Sequence, residues 1–149
     1  MVSEQTRRLV QQRAKYLCEY CHSPEYLSPD RFEIDHIQPR SLGGSDQLEN
    51  FALACRRCNL RRYNFIDGID PTTQKSYALF NPRIDKWTAH FAWIDKGLRI
   101  EGLNSKGRAT CNRWDMNDNH HDAGAIINAR KYWIQGGWHP SAEDEKKAE

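Results

Sequence analysis

The stretch RFEIDHIQPRSLGGSDQLENFALACRRCN, running from Arg31 to Asn59, decides how this chain folds. Its opening residues, Arg31-Phe32-Glu33-Ile34-Asp35-His36-Ile37, alternate polar and apolar as a half-buried strand does, and Pro39 ends that strand or confines it to a sheet edge. Ser41-Leu42-Gly43-Gly44-Ser45-Asp46 is rich in turn formers, and Leu48 to Leu53 returns to apolar character. A helix is then expected from near Arg56 through Arg62 or Tyr63, before the turn signals Asp67-Gly68 and Asp70-Pro71. The pattern is a hairpin followed by a helix.

Two cysteine pairs of identical spacing bracket this unit, Cys18-Glu19-Tyr20-Cys21 and Cys55-Arg56-Arg57-Cys58. Each C-x2-C pair can put both sulfurs on one ion, and two pairs complete the tetrahedral thiolate shell of structural zinc. Buried free thiols or a redox pair are the plainer readings. Zinc is favoured because matched spacings flank a 33-residue insert, longer than the roughly 15 to 20 residues of common ribbons. Something is built inside that loop. Cys111 is the fifth cysteine and is read as a small buried apolar residue. Upstream, Leu9, Val10, Ala14 and Leu17 fall at helical spacing over Glu4 to Tyr16, with Ser3 as candidate cap, so an amphipathic helix delivers the first pair.

Hydrolysis of a phosphodiester needs a base for water, a cation against the charge that develops on oxygen, and ligands for that cation. His36 offers an imidazole with an ordinary pKa of about 6.5, Asp35 a hard anionic oxygen, and Asn59 a neutral one suited to Mg2+ or Mn2+. Asp35-His36 alone is a common dipeptide, and Asn50 alone reads as a turn or cap amide. The order of the set carries more. A strand ending in Asp35-His36-Ile37-Gln38-Pro39-Arg40, the turn Gly43-Gly44, Asn50, and Cys55-x-x-Cys58 followed at once by Asn59 resemble the HNH endonuclease family in its four-cysteine, HNN form.

The resemblance covers roughly Val10 to Asn64. It implies an α+β fold with a ββα-metal core stapled by a four-cysteine Zn2+ site. It further implies that Asp35 and Asn59 hold the catalytic Mg2+ or Mn2+, that His36 is the general base, and that Asn50 clamps the loop, with DNA as substrate. Arg62 stands where the family usually has Lys, which replaces a point ammonium by a fork. Asp35 and His36 are adjacent, so a regular strand sends them to opposite faces, and both serve one phosphate only if the strand ends or the phosphate crosses its edge.

Arg40, Arg56, Arg57, Arg61 and Arg62 are the candidate phosphate contacts, which bind backbone without reading bases; a solvated basic surface is the alternative. The net charge of +2 divides into −2 over the last ten residues and about +4 over the rest, a weak excess that permits nucleic-acid binding. His22, His90, His120, His121 and His139 show no ligand-like arrangement. The expected organisation is a nuclease core over 1–66, an α/β C-terminal extension over 67–139 packed on it, and a disordered polar tail over 140–149. In the extension, 97–103 reads as a strand and 122–134 as a helix with Ala125, Ile126, Ala129 and Trp133 on one stripe. LFNPR (79–83), Trp87, His90-Phe91, GRAT (107–110) and Ala129-Arg130 resemble an extension on some bacterial HNH proteins. No apolar run approaches the roughly 20 residues that span a bilayer, and the polar N-terminus lacks a leader-like stretch, so a cytoplasmic monomer or homodimer without membrane partner is expected. The competing function is a non-catalytic, zinc-stabilised nucleic-acid-binding module.

Overall fold

The computed structural model describes residues 2–142 and 144. The chain forms two compact units, the first running up to Ile66 and including Asn81–Ile84, the second built from Asp67–Phe80 and the chain from Asp85 onward. Asn81–Ile84, assigned with the extension from sequence, groups with the first unit because Arg83 forms a salt bridge to Glu19 inside the first cysteine pair.

In the first unit, helix α1 covers Glu4–Arg13, with the Ser3 hydroxyl accepting from the Thr6 amide at 3.1 Å. The expected helix ran to Tyr16, but Lys15 and Tyr16 take positive φ, which turns the chain toward the cysteines. Strand β1 (Glu33–His36) pairs antiparallel with β2 (Phe51–Ala54), so that Asp35 faces Ala52 and His36 faces Phe51 in register. All four residues of β2 are buried, whereas in β1 only Asp35 is, and among the described residues β1 pairs with β2 alone. Helix α2 (Arg56–Arg62) follows directly, with Cys55 as N-cap. These elements are the ββα core, mixed helix and strand as the sequence implied.

The second unit holds two more hairpins, β3–β4 (Asp67–Ile69 with Ser76–Ala78) and β5–β6 (Phe91–Ile94 with Arg99–Gly102), a short helix α3 (Trp87–His90), and helices α4 (Ser105–Trp114) and α5 (Ala125–Gln135). Helix α4 lies against β6 and the end of α3 at the closest range a backbone allows. A Cβ at Gly107 would sit 2.1 Å from the His90 carbonyl oxygen, so only glycine fits there.

The expected helix over 122–134 starts later, because Ala123 and Gly124 take left-handed conformations that detach Asp122–Gly124 as a separate turn. Its inward stripe is also different: Ile126 and Arg130 are buried, while Ala125 is exposed. Arg130 is tolerated inside because its guanidinium donates to the Leu98 and Met116 carbonyls and to Asn117 Oδ1, and lies 5.2 Å from the Trp93 ring centre. Of the tail assigned to 140–149, residues 143 and 145–149 lie outside the described residues. Ser141 and Asp144 are buried, and Trp93 Nε1 donates to Asp144 at 2.9 Å. Among the described residues no helix is long and apolar enough to cross a membrane.

Candidate active site and metal centre

The first cysteine pair sits in a tight turn, closed by the Cys18 amide donating to the Ser23 carbonyl and the His22 amide donating to the Cys18 carbonyl, both at 2.9 Å. The second pair opens α2, where Cys55 Sγ caps the Cys58 amide at 3.4 Å. A turn and a helix start thus present four buried sulfurs to one point, all within 4.8 Å of one another. Cys21 and Cys55 Sγ are 3.7 Å apart, close to the edge of about 3.8 Å that a tetrahedron with Zn–S bonds of about 2.3 Å requires. Burial pushes the Cys18 thiol up, while hydrogen bonding to Cys18 pulls Cys21 down. Four buried sulfurs crowded this closely suit a cation that takes the place of their protons. The set is the only group of three or more such ligands among the described residues, and the other histidines join none.

Glu19 and Tyr20, between the paired cysteines, weld this turn to the hairpin. The Glu19 amide donates to the Leu53 carbonyl and its carboxylate accepts from the Leu53 amide, both at 2.8 Å. Burial pushes the Glu19 carboxyl up, and Arg83 pulls against it. Tyr20 is 1% exposed and its hydroxyl donates to Asp35 Oδ2 at 2.6 Å.

Asp35 and His36 do take opposite faces of β1. Asp35 is buried, and Arg62 of α2 donates to the same Oδ2 at 2.6 Å, which places α2 on the Asp35 face. Burial pushes the Asp35 carboxyl up and Arg62 opposes that shift. Oδ1 of Asp35 has no hydrogen-bond partner among the described residues. His36 lines a groove of about 450 Å³ together with Ile34, Asn59, Arg7, Arg31 and Arg40, with Glu4 and Glu33 also at its wall. Ile34 and His36 come from one face of β1 and Asn59 from the helix packed on the other, so the groove draws on residues from both sides of the strand. The Asn59 backbone amide donates to the Cys55 carbonyl at 2.9 Å, while its side-chain amide makes no hydrogen bond among the described residues.

Asn50 bridges the loop that leaves β1. Its Oδ1 accepts from the Gln38 amide at 2.8 Å, and Nδ2 donates to the Gln38 carbonyl at 3.0 Å and the Ser45 carbonyl at 2.8 Å. The clamp delivers a residue that sequence reasoning missed. Asp46 Oδ1 stands 2.8 Å from His36 Nε2 and also receives the Arg40 fork. These hydrogen bonds, the one with His36 first, hold the Asp46 carboxyl below its usual range. The only signal in the sequence was an acidic residue right after the glycine turn, ten positions from His36.

The arginines divide differently from expectation. Of the five chosen from sequence, Arg40 lines the groove. Arg56 is exposed, Arg57 and Arg61 are half-buried, and none of the three reaches the groove wall. Arg62, 4% exposed, uses its donors inside the fold: it donates to Asp35, to the His36 carbonyl at 2.6 Å, to the Phe65 carbonyl at 3.0 Å and to the Ile37 carbonyl. A guanidinium reaches this many acceptors because its donors spread in a rigid plane. Arg7 and Arg31, not singled out before, line the groove instead, Arg7 donating to the Phe32 carbonyl at 2.6 Å and Arg31 pairing with Glu4 at 3.0 Å. Cys111 is half-buried, and burial pushes its thiol up to about 12, so it is an inert apolar filler.

Against known families, residues 18–65 match the model described as HNH endonuclease, a span that holds all four clustered cysteines, Asp35, His36, Asn50 and Asn59. Neither the curated proteins nor the solved structures contain a significant match to the chain.

Proposed function

With an HNH endonuclease-family domain over residues 18–65 as the premise, we propose that this chain is a metal-dependent endonuclease that hydrolyses DNA phosphodiester bonds. The observation that carries the reading is that His36 and Asn59, from a strand and a helix, line one groove. His36 takes a proton from a water in that groove. The hydroxide adds to phosphorus and the P–O3′ bond breaks, which leaves a 5′-phosphate and, after the departing oxygen takes a proton from solvent, a 3′-hydroxyl.

The donors suit Mg2+ or Mn2+: Asn59 offers its amide oxygen and Asp35 its Oδ1, both free of hydrogen bonds among the described residues, while Tyr20 and Arg62 hold Oδ2 in place. Such a cation, when bound, neutralises charge on the phosphoryl and departing oxygens. The four cysteines hold Zn2+ as a structural ion. Arg7, Arg31 and Arg40 supply positive charge along the groove for the phosphate backbone. The described residues of one chain hold one such site, so a monomer nicks a single strand and a homodimer cuts both.

The test is cleavage of supercoiled plasmid by the full chain with Mg2+ or Mn2+, nicked and linear products resolved, against His36→Ala. Loss of the base lowers the rate about 100- to 10,000-fold. Equal nicking by both proteins removes His36 from the reaction. A second reading, a zinc-stabilised module that binds nucleic acid without cutting it, draws on the burial of Asp35 in its pair with Arg62. Under that reading the wild-type protein retains DNA and leaves the plasmid supercoiled with either metal.

A further inference from the structure

His36 is held from two directions. Phe51, its cross-strand neighbour, meets the imidazole edge-on, with ring centres 5.1 Å apart and planes at 90°, which fixes the plane of the ring. Asp46 then approaches one nitrogen in that plane, with Oδ1 2.8 Å from Nε2. An ionised carboxylate only accepts hydrogen bonds, so a neutral imidazole facing it carries its proton on Nε2 and keeps its lone pair on Nδ1.

We propose that Asp46 is a positioning residue for cleavage, which locks His36 in the Nε2–H tautomer so that Nδ1 is the atom that takes the proton from water. The proposal rests on His36 as the base and adds which nitrogen acts and what selects it. A carboxylate that is 59% exposed on its side chain has no reason of packing to lie there; three features of the loop bring it. Asn50 ties Ser45 back to Gln38, Gly43 turns the chain at φ +87, and Arg40 grips both Asp46 oxygens, Oδ1 and Oδ2 alike at 2.9 Å from its NH2. The clamp that Asn50 makes thereby reaches the imidazole without touching it. Asp46 also gives the imidazolium that forms after proton transfer a partner of opposite charge, the role the carboxylate plays in a Ser-His-Asp triad.

The tautomer is read directly in the 15N-labelled full chain, by long-range 1H–15N correlation at mildly alkaline pH, with His36 identified by its loss in His36→Gln. Wild type is expected to show a protonated Nε2 and a bare Nδ1, whereas Asp46→Ala shows the averaged signals of both tautomers. In plasmid nicking, Asp46→Ala is expected to lower kcat about 10- to 100-fold with KM little changed. Asp46→Asn, whose amide oxygen still accepts from Nε2, recovers part of that loss. A wild-type proton on Nδ1, an unchanged tautomer in Asp46→Ala, or faster cleavage by that variant overturns the proposal, the last by making Asp46 a restraint on the base. Absence of cleavage by wild type strikes the nuclease reading alone, since the tautomer spectrum needs no activity.

Discussion

Asn59 and Arg62 are separated by less than one helical turn, yet they serve different ends of the same arrangement. Asn59 reaches the groove with a free amide, and Arg62 runs beneath β1 into a buried pair with Asp35. From the sequence both sat on one helix face and Arg62 counted as a phosphate contact; what overrode this was the row of carbonyls at His36, Ile37 and Phe65 that only a fork can satisfy together. Arg62→Ala leaves Asp35 buried without its cation, and removal of one member of such a pair costs about 3 to 5 kcal/mol. Arg62→Lys keeps the charge but reaches fewer of these acceptors, so its loss falls between the two. Urea unfolding followed at the β1 and β2 amides measures both, and an Arg62→Ala midpoint equal to wild type removes the pair from the stability of the core. Replacing Asp35 with Asn in the Arg62→Ala background recovers part of the loss, because a neutral amide is cheaper to bury alone.

At the scale of elements, the loop between β1 and β2 decides whether the site is assembled. Gly44 packs against the Gln38 carbonyl so closely that an added Cβ would stand 1.7 Å from its oxygen and 2.9 Å from Asn50 Nδ2. Gly44→Ala therefore has to displace the clamp, at about 1 to 3 kcal/mol by the usual scale of overpacking. Nicking should fall with it, since the same loop carries Asp46. A melting temperature and a nicking rate both equal to wild type would detach the loop from the site. This element also marks how far sequence reaches. The turn residues, the β1 alternation and the C-x2-C spacings are local signals, and they pointed to a hairpin, a helix from Arg56 and a four-sulfur cluster that the structure contains. Asp46 meeting His36 is a contact across ten residues of loop, with no periodicity to announce it. Helix α4 was missed because Gly107 and Thr110 weaken a helical reading, while the structure uses one for close approach and the other to accept from the Phe80 amide at 2.9 Å. The β3–β4 hairpin was hidden behind Asp67-Gly68 and Asp70-Pro71, which read as turns alone. Asp70 is fully buried there, its carboxyl lowered to about 2 by the Arg108 fork.

The molecule as a whole divides its means of stability unevenly. All five tryptophans belong to the second unit, where Trp87, Trp93 and Trp114 are buried, whereas the first unit relies on smaller residues such as Val10, Leu17, Phe51 and Leu53. A core of fewer than about 70 residues rarely supplies more than 3 to 5 kcal/mol, and structural zinc contributes about 10 kcal/mol or more at neutral pH. The metal is therefore expected to decide whether the first unit folds. Stripping it with a strong chelator should release one Zn2+ per chain and abolish amide-exchange protection in β1, β2 and α2, and Cys58→Ser should do the same without chelator. Tryptophan emission is the wrong probe, because no indole lies in the unit that holds the four cysteines. Exchange measured segment by segment is the right one: protection that persists in β1 and β2 after complete metal release would mean that Tyr20, Glu19 and Arg62 hold the hairpin unaided. Restoring Zn2+ should return protection before nicking is regained, since nicking also needs Mg2+ or Mn2+ under the proposed mechanism. Zinc alone restoring full cleavage would instead merge the structural and catalytic ions into one.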